Sequence, residues 1–402
     1  MSGPSVAYWH RPAFSLLALL GLTTVAFASS SGEYLTRAAD CVSCHTAEGG
    51  APFAGGRAIK LPFGTIYSPN ITPDRETGIG DYTDDEWVDA LQRGIGHGGK
   101  QLYPVMPYNS YTLMSREDAL AIKGYLFSLK PVHAEAPANS LRFPFSQRWT
   151  LWLWNKANNP DHRFVPDSTK SAAWNRGAYL VEALGHCGQC HTPRNWMQGL
   201  KTGDAYAGTV QAGWRAYNIT NDPKHGIGGW SDAALAQYLS TGFADGHGPA
   251  SGPMAEAITN SLRYMTPDDI RAMVTYLRDI PPQAQGPESA PPAPAAVADT
   301  ALGAHIFELA CAGCHLPNGH GRQSPWAALA GDQSAADPAA TNLLQVLAHG
   351  SELRTDKGQV FMHSFAGAYT DPELAAVANY VMARFGGRAG AVTAEDIAAA
   401  KR

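Results

Sequence analysis

The chain has 402 residues, 45% apolar and 16% charged, with 30 Lys+Arg against 35 Asp+Glu for a net charge of −5. That composition folds rather than staying disordered and offers no basic field to a nucleic acid. Outside the N-terminal segment no uncharged run reaches the about 18 residues that a membrane-spanning helix needs. All six cysteines lie in three Cys-x-x-Cys-His sequences.

The first element is an export signal. Arg11 is the only charged residue before Glu33, and an apolar stretch from Phe14 to Val25 ends in Ala26-Phe27-Ala28. The small-x-small pattern predicts cleavage after Ala28, with an uncleaved anchor as the alternative. Residues 1–28 are thus a signal peptide, and the mature chain enters an oxidising compartment, the periplasm. The remaining 374 residues suffice for two to four domains.

Three repeats follow. Residues 29–130 carry Cys41-Val42-Ser43-Cys44-His45, then Asn70-Ile71-Thr72-Pro73-Asp74 and Gly78-Ile79-Gly80. A helical stretch capped by Thr83 ends at Gly94, and an amphipathic helix over 120–129 stands behind Ser115. Residues 131–170 are an aromatic-rich connector. Residues 171–280 repeat the order: Cys187-Gly188-Gln189-Cys190-His191, Asn218-Ile219-Thr220-Asn221-Asp222, Gly226-Ile227-Gly228, a stretch from Ser231 to Gly242, and a helix over 270–280 behind Thr266. Residues 281–298 form a Pro/Ala linker, extended and semi-rigid. Residues 299–388 hold Cys311-Ala312-Gly313-Cys314-His315, a shortened Asn342-Leu343-Leu344 through Gly350, and a helix over 374–385 behind Thr370. Residues 389–402 are a tail. No segment alternates apolar and polar residues with period two, so the expected class is mainly α, in three tandem domains.

The cysteine motif reads as c-type haem attachment. Residues i and i+3 share one face of a helical turn, so two thiols meet two vinyl groups of one porphyrin edge. The following His turns its imidazole under the iron. A zinc site would use two Cys pairs and strand the third, a thioredoxin-like motif lacks its strand–helix–strand setting, and structural disulfides do not need His at the fifth position three times. Three covalently bound haem c groups are therefore expected, on Cys41 and Cys44, Cys187 and Cys190, and Cys311 and Cys314. His45, His191 and His315 are the proximal ligands, and the fold is three tandem cytochrome c-type domains.

A second axial ligand suits electron transfer, and Met raises the potential. Met114 and Met265 precede the caps Ser115 and Thr266, but the matching position before Thr370 is Tyr369, so that pair is not shared by all three units. Met273 and Met382 fall within the terminal helices and are expected to fill core. Met106, Met254 and Met362 are read as loop residues before those helices and as the distal ligands, with His363, His97 and His247 as rivals. Thr46, Thr192 and Leu316 are read as packing or helix-start residues. Tyr67, Tyr108, Trp214 and Tyr217 are read as porphyrin walls, with aromatic core as an equal alternative.

With the repeated Asn-Ile-Thr and Gly-Ile-Gly stretches and the Tyr103-Pro104-Val105-Met106-Pro107-Tyr108 loop, the chain resembles one family over about residues 32–388. This is the tri-haem cytochrome c subunit of bacterial membrane-bound dehydrogenases, such as the alcohol, aldehyde and gluconate dehydrogenases of acetic acid bacteria. The resemblance implies a separate catalytic subunit carrying pyrroloquinoline quinone, molybdopterin or FAD. Electrons would go from it to ubiquinone or onward to an oxidase. The family's ligands fall on Cys41, Cys44, His45 and Met106, on Cys187, Cys190, His191 and Met254, and on Cys311, Cys314, His315 and Met362. The resemblance also implies peripheral association with the cytoplasmic membrane.

The end of the chain is short and polar, so the connector is the better candidate for membrane contact. Residues 141–156 hold three Trp, two Phe and three basic residues with no acid. Such a stretch suits a headgroup boundary. It suits equally a clamp between the first two units. Two functions of other kinds compete: a multihaem peroxidase-like enzyme, which needs an open iron site, and a free periplasmic electron shuttle.

Overall fold

The computed structural model describes Met1 and residues 32–288, 301–322 and 324–402. The signal peptide beyond Met1, and the linker from residue 289, lie outside the described residues.

Each repeat begins and ends with a helix, and the two cross. Gly32–Ala38 packs on Arg116–Ser128, Ala172–Ala178 on Pro267–Leu277, and Ala301–Ile306 on Asp371–Phe385. A glycine sits at every crossing. A Cβ on Gly32 would lie 2.0 Å from the Ala121 carbonyl oxygen, one on Gly177 1.9 Å from that of Ala272, and one on Gly303 2.2 Å from that of Ala376. The Cβ atoms of Tyr125, Tyr276 and Tyr380, one turn further on, complete the three contacts. Only glycine lets the backbones approach this closely.

The expected caps are in place. Ser115 Oγ accepts from the Asp118 amide at 3.0 Å, and Thr266 Oγ1 from the Asp269 amide at 3.1 Å. Thr83 with Glu86 and Thr370 with Glu373 form capping boxes, which satisfy backbone N–H groups that have no intrahelical partner. The middle helices Asp84–Arg93 and Asp232–Thr241 end at Gly94 and Gly242, whose φ angles are 64° and 73°.

The expectation of no strands is corrected. Short antiparallel hairpins join the helices: Ala58–Leu61 with Gly64–Tyr67, Thr209–Gln211 with Trp214–Ala216, and Ser351–Thr355 with Gly358–Met362. Strands this short are held by their turns and leave too few residues to show a period-two pattern.

One cluster of buried residues runs from Leu35 to Ile280, so the first two repeats share a core, and Leu353 of the third joins it. A second cluster spans Ile306 to Ile397. Charged groups lock the repeats together. Tyr34 Oη donates to Asp269 Oδ2 at 2.5 Å, and the same carboxylate takes Arg176 at 2.8 and 2.7 Å. Arg215 Nε donates to the fully buried Asp337 at 2.7 Å, while the Arg215 and Asn342 main and side chains exchange hydrogen bonds of 2.8 and 3.0 Å. The tail is not free: Ala394–Ala400 is a helix whose Ile397 is buried in the second cluster. Among the described residues no helix is long and apolar enough to cross a membrane.

Candidate haem-binding sites

The three cysteine motifs are built alike. Cys41–Cys44 is a single helical turn, and the turns Gly188–His191 and Ala312–His315 start directly after Cys187 and Cys311. The His45 and His191 amides each donate 3.0 Å back to the carbonyl of the first cysteine, so both thiols and the imidazole belong to one turn.

Each motif histidine is oriented in the same way. His45 Nδ1 lies 2.8 Å from the Pro69 carbonyl, His191 Nδ1 2.6 Å from that of Tyr217, and His315 Nδ1 2.7 Å from that of Ala327. A carbonyl only accepts, so Nδ1 carries the proton and Nε2 presents its lone pair. Burial lowers the pKa of all three rings, which keeps them neutral, the form that ligates metal. Such an outer hydrogen bond is what fixes a ligating histidine.

Cys41, Cys44, Cys187 and Cys311 are not poised for dithiol chemistry. Burial pushes Cys41 and Cys187 up to about 12, and Cys44 and Cys311 up to about 11. A redox-active or zinc-binding pair needs the opposite shift. Among the described residues no three His, Cys, Asp or Glu converge as a metal site. The donor set fits haem c: two thiols on one turn, followed by an imidazole with a free Nε2.

The Asn-Ile-Thr repeat has a structural task that the sequence did not disclose. Asn70 Oδ1 accepts from the Thr72 amide at 2.8 Å and Thr72 Oγ1 at 2.7 Å, and Asn218 Oδ1 accepts from Thr220 at the same two distances. Their amide groups donate to the Val132 and Gln283 carbonyls, at 2.7 and 2.6 Å. Each Asn therefore anchors the backbone immediately after the carbonyl that orients the histidine, Pro69 or Tyr217. The Gly-Ile-Gly stretch closes the turn: the Ile79 and Ile227 amides donate to the Thr72 and Thr220 carbonyls at 3.0 and 2.9 Å. Thr46 and Thr192 are organisers of the next loop rather than helix starts, accepting from the Phe53 and Tyr206 amides at 3.1 and 3.0 Å.

The methionines divide by burial. Met114, Met265, Met273 and Met382 are buried in the cores, whereas Met106, Met254 and Met362 are only partly buried. Met106 lies in a loop, as expected. Met254 lies in the first turn of the helix Gly252–Asn260, and Met362 ends the strand Gly358–Met362. Neither stands in the loop expected of it: Pro253 belongs to the first turn of its helix, a favoured place for proline, and the hairpin is too short to show an alternating pattern. His97 and His363 are exposed, and His247 is stacked on Trp230 at 3.6 Å. Of the expected aromatic walls, Tyr108 is fully buried, while Tyr67, Trp214 and Tyr217 are partly buried.

The first two attachment turns are each covered by the other repeat. Gln189, between Cys187 and Cys190, donates to Asn109 Oδ1 at 3.0 Å and Ser110 Oγ at 2.8 Å, directly beyond Met106. Ser43, between Cys41 and Cys44, accepts from Asn260 Nδ2 at 2.9 Å. Arg57 bridges the Ser43 carbonyl to Glu256 of the helix that carries Met254. Gly313 of the third motif is exposed.

A family model for cytochrome c matches residues 29–130 and 300–384. The fructose dehydrogenase cytochrome subunit of Gluconobacter japonicus is 38% identical, over 98% of this chain and 84% of that one. The gluconate 2-dehydrogenase cytochrome c subunit of Pantoea cypripedii is 36% identical, over 96% and 95%. The cytochrome c subunit of the quinone alcohol dehydrogenase of Gluconacetobacter polyoxogenes is 37% identical, over 96% and 87%. With the helix crossings and the three oriented histidines, these likenesses establish that the chain belongs to the family of cytochrome c subunits of bacterial dehydrogenases.

Proposed function

We propose that this chain is a tri-haem cytochrome c, the electron-transfer subunit of a dehydrogenase complex. It takes electrons from a catalytic subunit with a quinone, molybdopterin or flavin cofactor and delivers them to ubiquinone or the respiratory chain. Its three units are read as cytochrome c-type domains at 29–130, 171–280 and 299–388, exported to the periplasm and peripheral to the cytoplasmic membrane. The observation that carries the reading is the threefold bond from a motif histidine Nδ1 to a backbone carbonyl.

Haem c would supply a reversible one-electron iron couple at each site. The chain's own residues do the rest. Cys41 and Cys44, Cys187 and Cys190, and Cys311 and Cys314 would hold each macrocycle by one edge. His45, His191 and His315 would bind the iron through Nε2, and Met106, Met254 and Met362 would offer it a thioether. Such a thioether favours the reduced metal and raises the potential. Pro69, Tyr217 and Ala327 hold the histidine protons, so ligand orientation needs no rearrangement when charge arrives.

The test is genetic and enzymatic. Removal of this chain from cells that keep the catalytic subunit is expected to abolish substrate-driven ubiquinone reduction in membranes, while the catalytic subunit still reduces an artificial dye. Undiminished ubiquinone reduction would overturn the proposal.

A further inference from the structure

The connector resolves into two faces of one helix. In Trp149–Asn158, Leu151 and Trp154 point inward and are each 8% exposed. Trp154 Nε1 donates to the Met197 carbonyl at 2.7 Å, and its ring stands edge-on to Tyr108 at 5.8 Å. Arg148 Nη1 donates to the Gln101 carbonyl at 2.6 Å. The helix is therefore clamped to the core through this face, as one of the two readings of the connector required.

The other face is bare. Trp149 is 72% exposed, Trp152 56% and Leu153 56%, a row at i, i+3 and i+4 that Lys156 continues at i+7. Phe143, 80% exposed, and Phe145, stacked on Phe63 at 4.0 Å, extend it on the N-terminal side. Trp196, 88% exposed, lies next to Met197, whose carbonyl receives the Trp154 bond. Trp149, Trp152 and Trp196 are the exposed tryptophans among the described residues, and two of them lie on this face.

Charge indicates what covers this face. The chain is acidic overall, yet residues 136–160 contain Arg142, Arg148 and Lys156 and no acid. Arg142 and Lys156 are exposed, with no ion pair among the described residues. The next acid, Asp161, is engaged by Arg93 and Arg163. Indole rings with flanking cations, on a helix lying flat on its support, match a bilayer's headgroup layer, where one end of the ring is apolar and the other wet. Lysine, unlike arginine, is depleted at protein interfaces.

We infer that the Trp149–Trp152–Leu153 face, with Phe143 and Phe145 beside it, docks on an anionic lipid surface. This rests on the membrane association proposed above and assigns it a surface. The test uses the purified, haem-loaded full chain and vesicles of phosphatidylcholine with or without one part in four phosphatidylglycerol. Co-sedimentation is expected with the anionic vesicles, weakened by salt, together with quenching of tryptophan fluorescence by lipids brominated in the acyl chain. The double variant Trp149→Ser/Trp152→Ser is expected to lose at least about tenfold in vesicle partition, and Arg142→Gln/Lys156→Gln about fivefold or more. Haem absorption and the melting curve should stay as in the wild type, since both pairs lie outside the core.

Unchanged partition of the tryptophan variant would overturn the inference, as would equal binding to neutral and anionic vesicles. Unchanged partition with loss of co-purifying catalytic subunit would instead make the face a protein interface. None of these outcomes depends on haem count or electron delivery, so failure here is distinguishable from failure of the electron-transfer reading.

Discussion

Asn218 is the most exacting test of how the histidine is held. The side chain is buried and fully engaged: its oxygen takes the Thr220 amide and hydroxyl, and its amide group gives to the Gln283 and Gln285 carbonyls. Asn218→Ala strips these partners at once. Thr220 is wholly buried, so its amide is left without solvent. A buried donor left unmade costs about 1–3 kcal/mol, and the abandoned carbonyls add to it, for a total of about 3–5 kcal/mol. Thr220→Val removes a hydroxyl that donates to Asn218 Oδ1 and accepts from the Gln283 amide, while keeping the Thr220 amide bond, and should cost about 1–3 kcal/mol. Denaturant unfolding of the haem-loaded protein, followed by visible absorption, reads both. The backbone that Asn218 anchors carries the Tyr217 carbonyl, so Asn218→Ala should also shift the potential of one haem in three, whereas Thr220→Val should not. A cost below about 1 kcal/mol for Asn218→Ala, or one equal to that of Thr220→Val, would refute the reasoning.

Three further outcomes are expected. Gly177→Ala drives a Cβ to 1.9 Å from the Ala272 carbonyl oxygen and should cost about 2–3 kcal/mol. Gly124→Ala, in Arg116–Ser128 with nothing within 4 Å, should gain about 0.5–1 kcal/mol; thermal melting compares them, and equal effects would count against the crossing as a glycine requirement. Asp332 is partly buried, and loss of solvent around its carboxyl raises its pKa from 3.8 to about 6. Its stabilising contribution is therefore complete below about pH 4 and lost as pH rises through about 6, on the order of 3 kcal/mol. Asp332→Asn should remove that slope between pH 4 and 7, and a variant with the same slope as wild type would contradict the assignment. Ala at Met106, Met254 or Met362 should each abolish one third of the sulfur-to-iron charge-transfer absorption and lower one potential; no change at any one position removes that residue from the set.

The sequence made the cysteine motifs, the helix caps and the repeat visible because each is a local pattern. Thr83, Ser115, Thr266 and Thr370 cap their helices through residues three positions away, and no tertiary knowledge is needed to read them. What stayed hidden depends on contacts distant in the chain. Gly32, Gly177 and Gly303 are three ordinary glycines until the terminal helices cross, although their spacing of eight to ten residues ahead of the first cysteine was a usable signal. Asn70 and Asn218 recur in the sequence, yet their purpose shows only when Pro69 and Tyr217 are seen against His45 and His191. The connector could not be divided beforehand between clamp and exposed face, because Trp152 and Trp154 differ in nothing but the side of the helix they occupy.

The most direct test of the central claim is the intact mass of the purified mature chain under denaturing conditions. A polypeptide beginning after Ala28 and heavier by three haems, with no thiol left to alkylate, is expected. A mass equal to the bare polypeptide, with alkylatable cysteines or Cys–Cys bonds at 41 and 44, 187 and 190, or 311 and 314, would contradict the account.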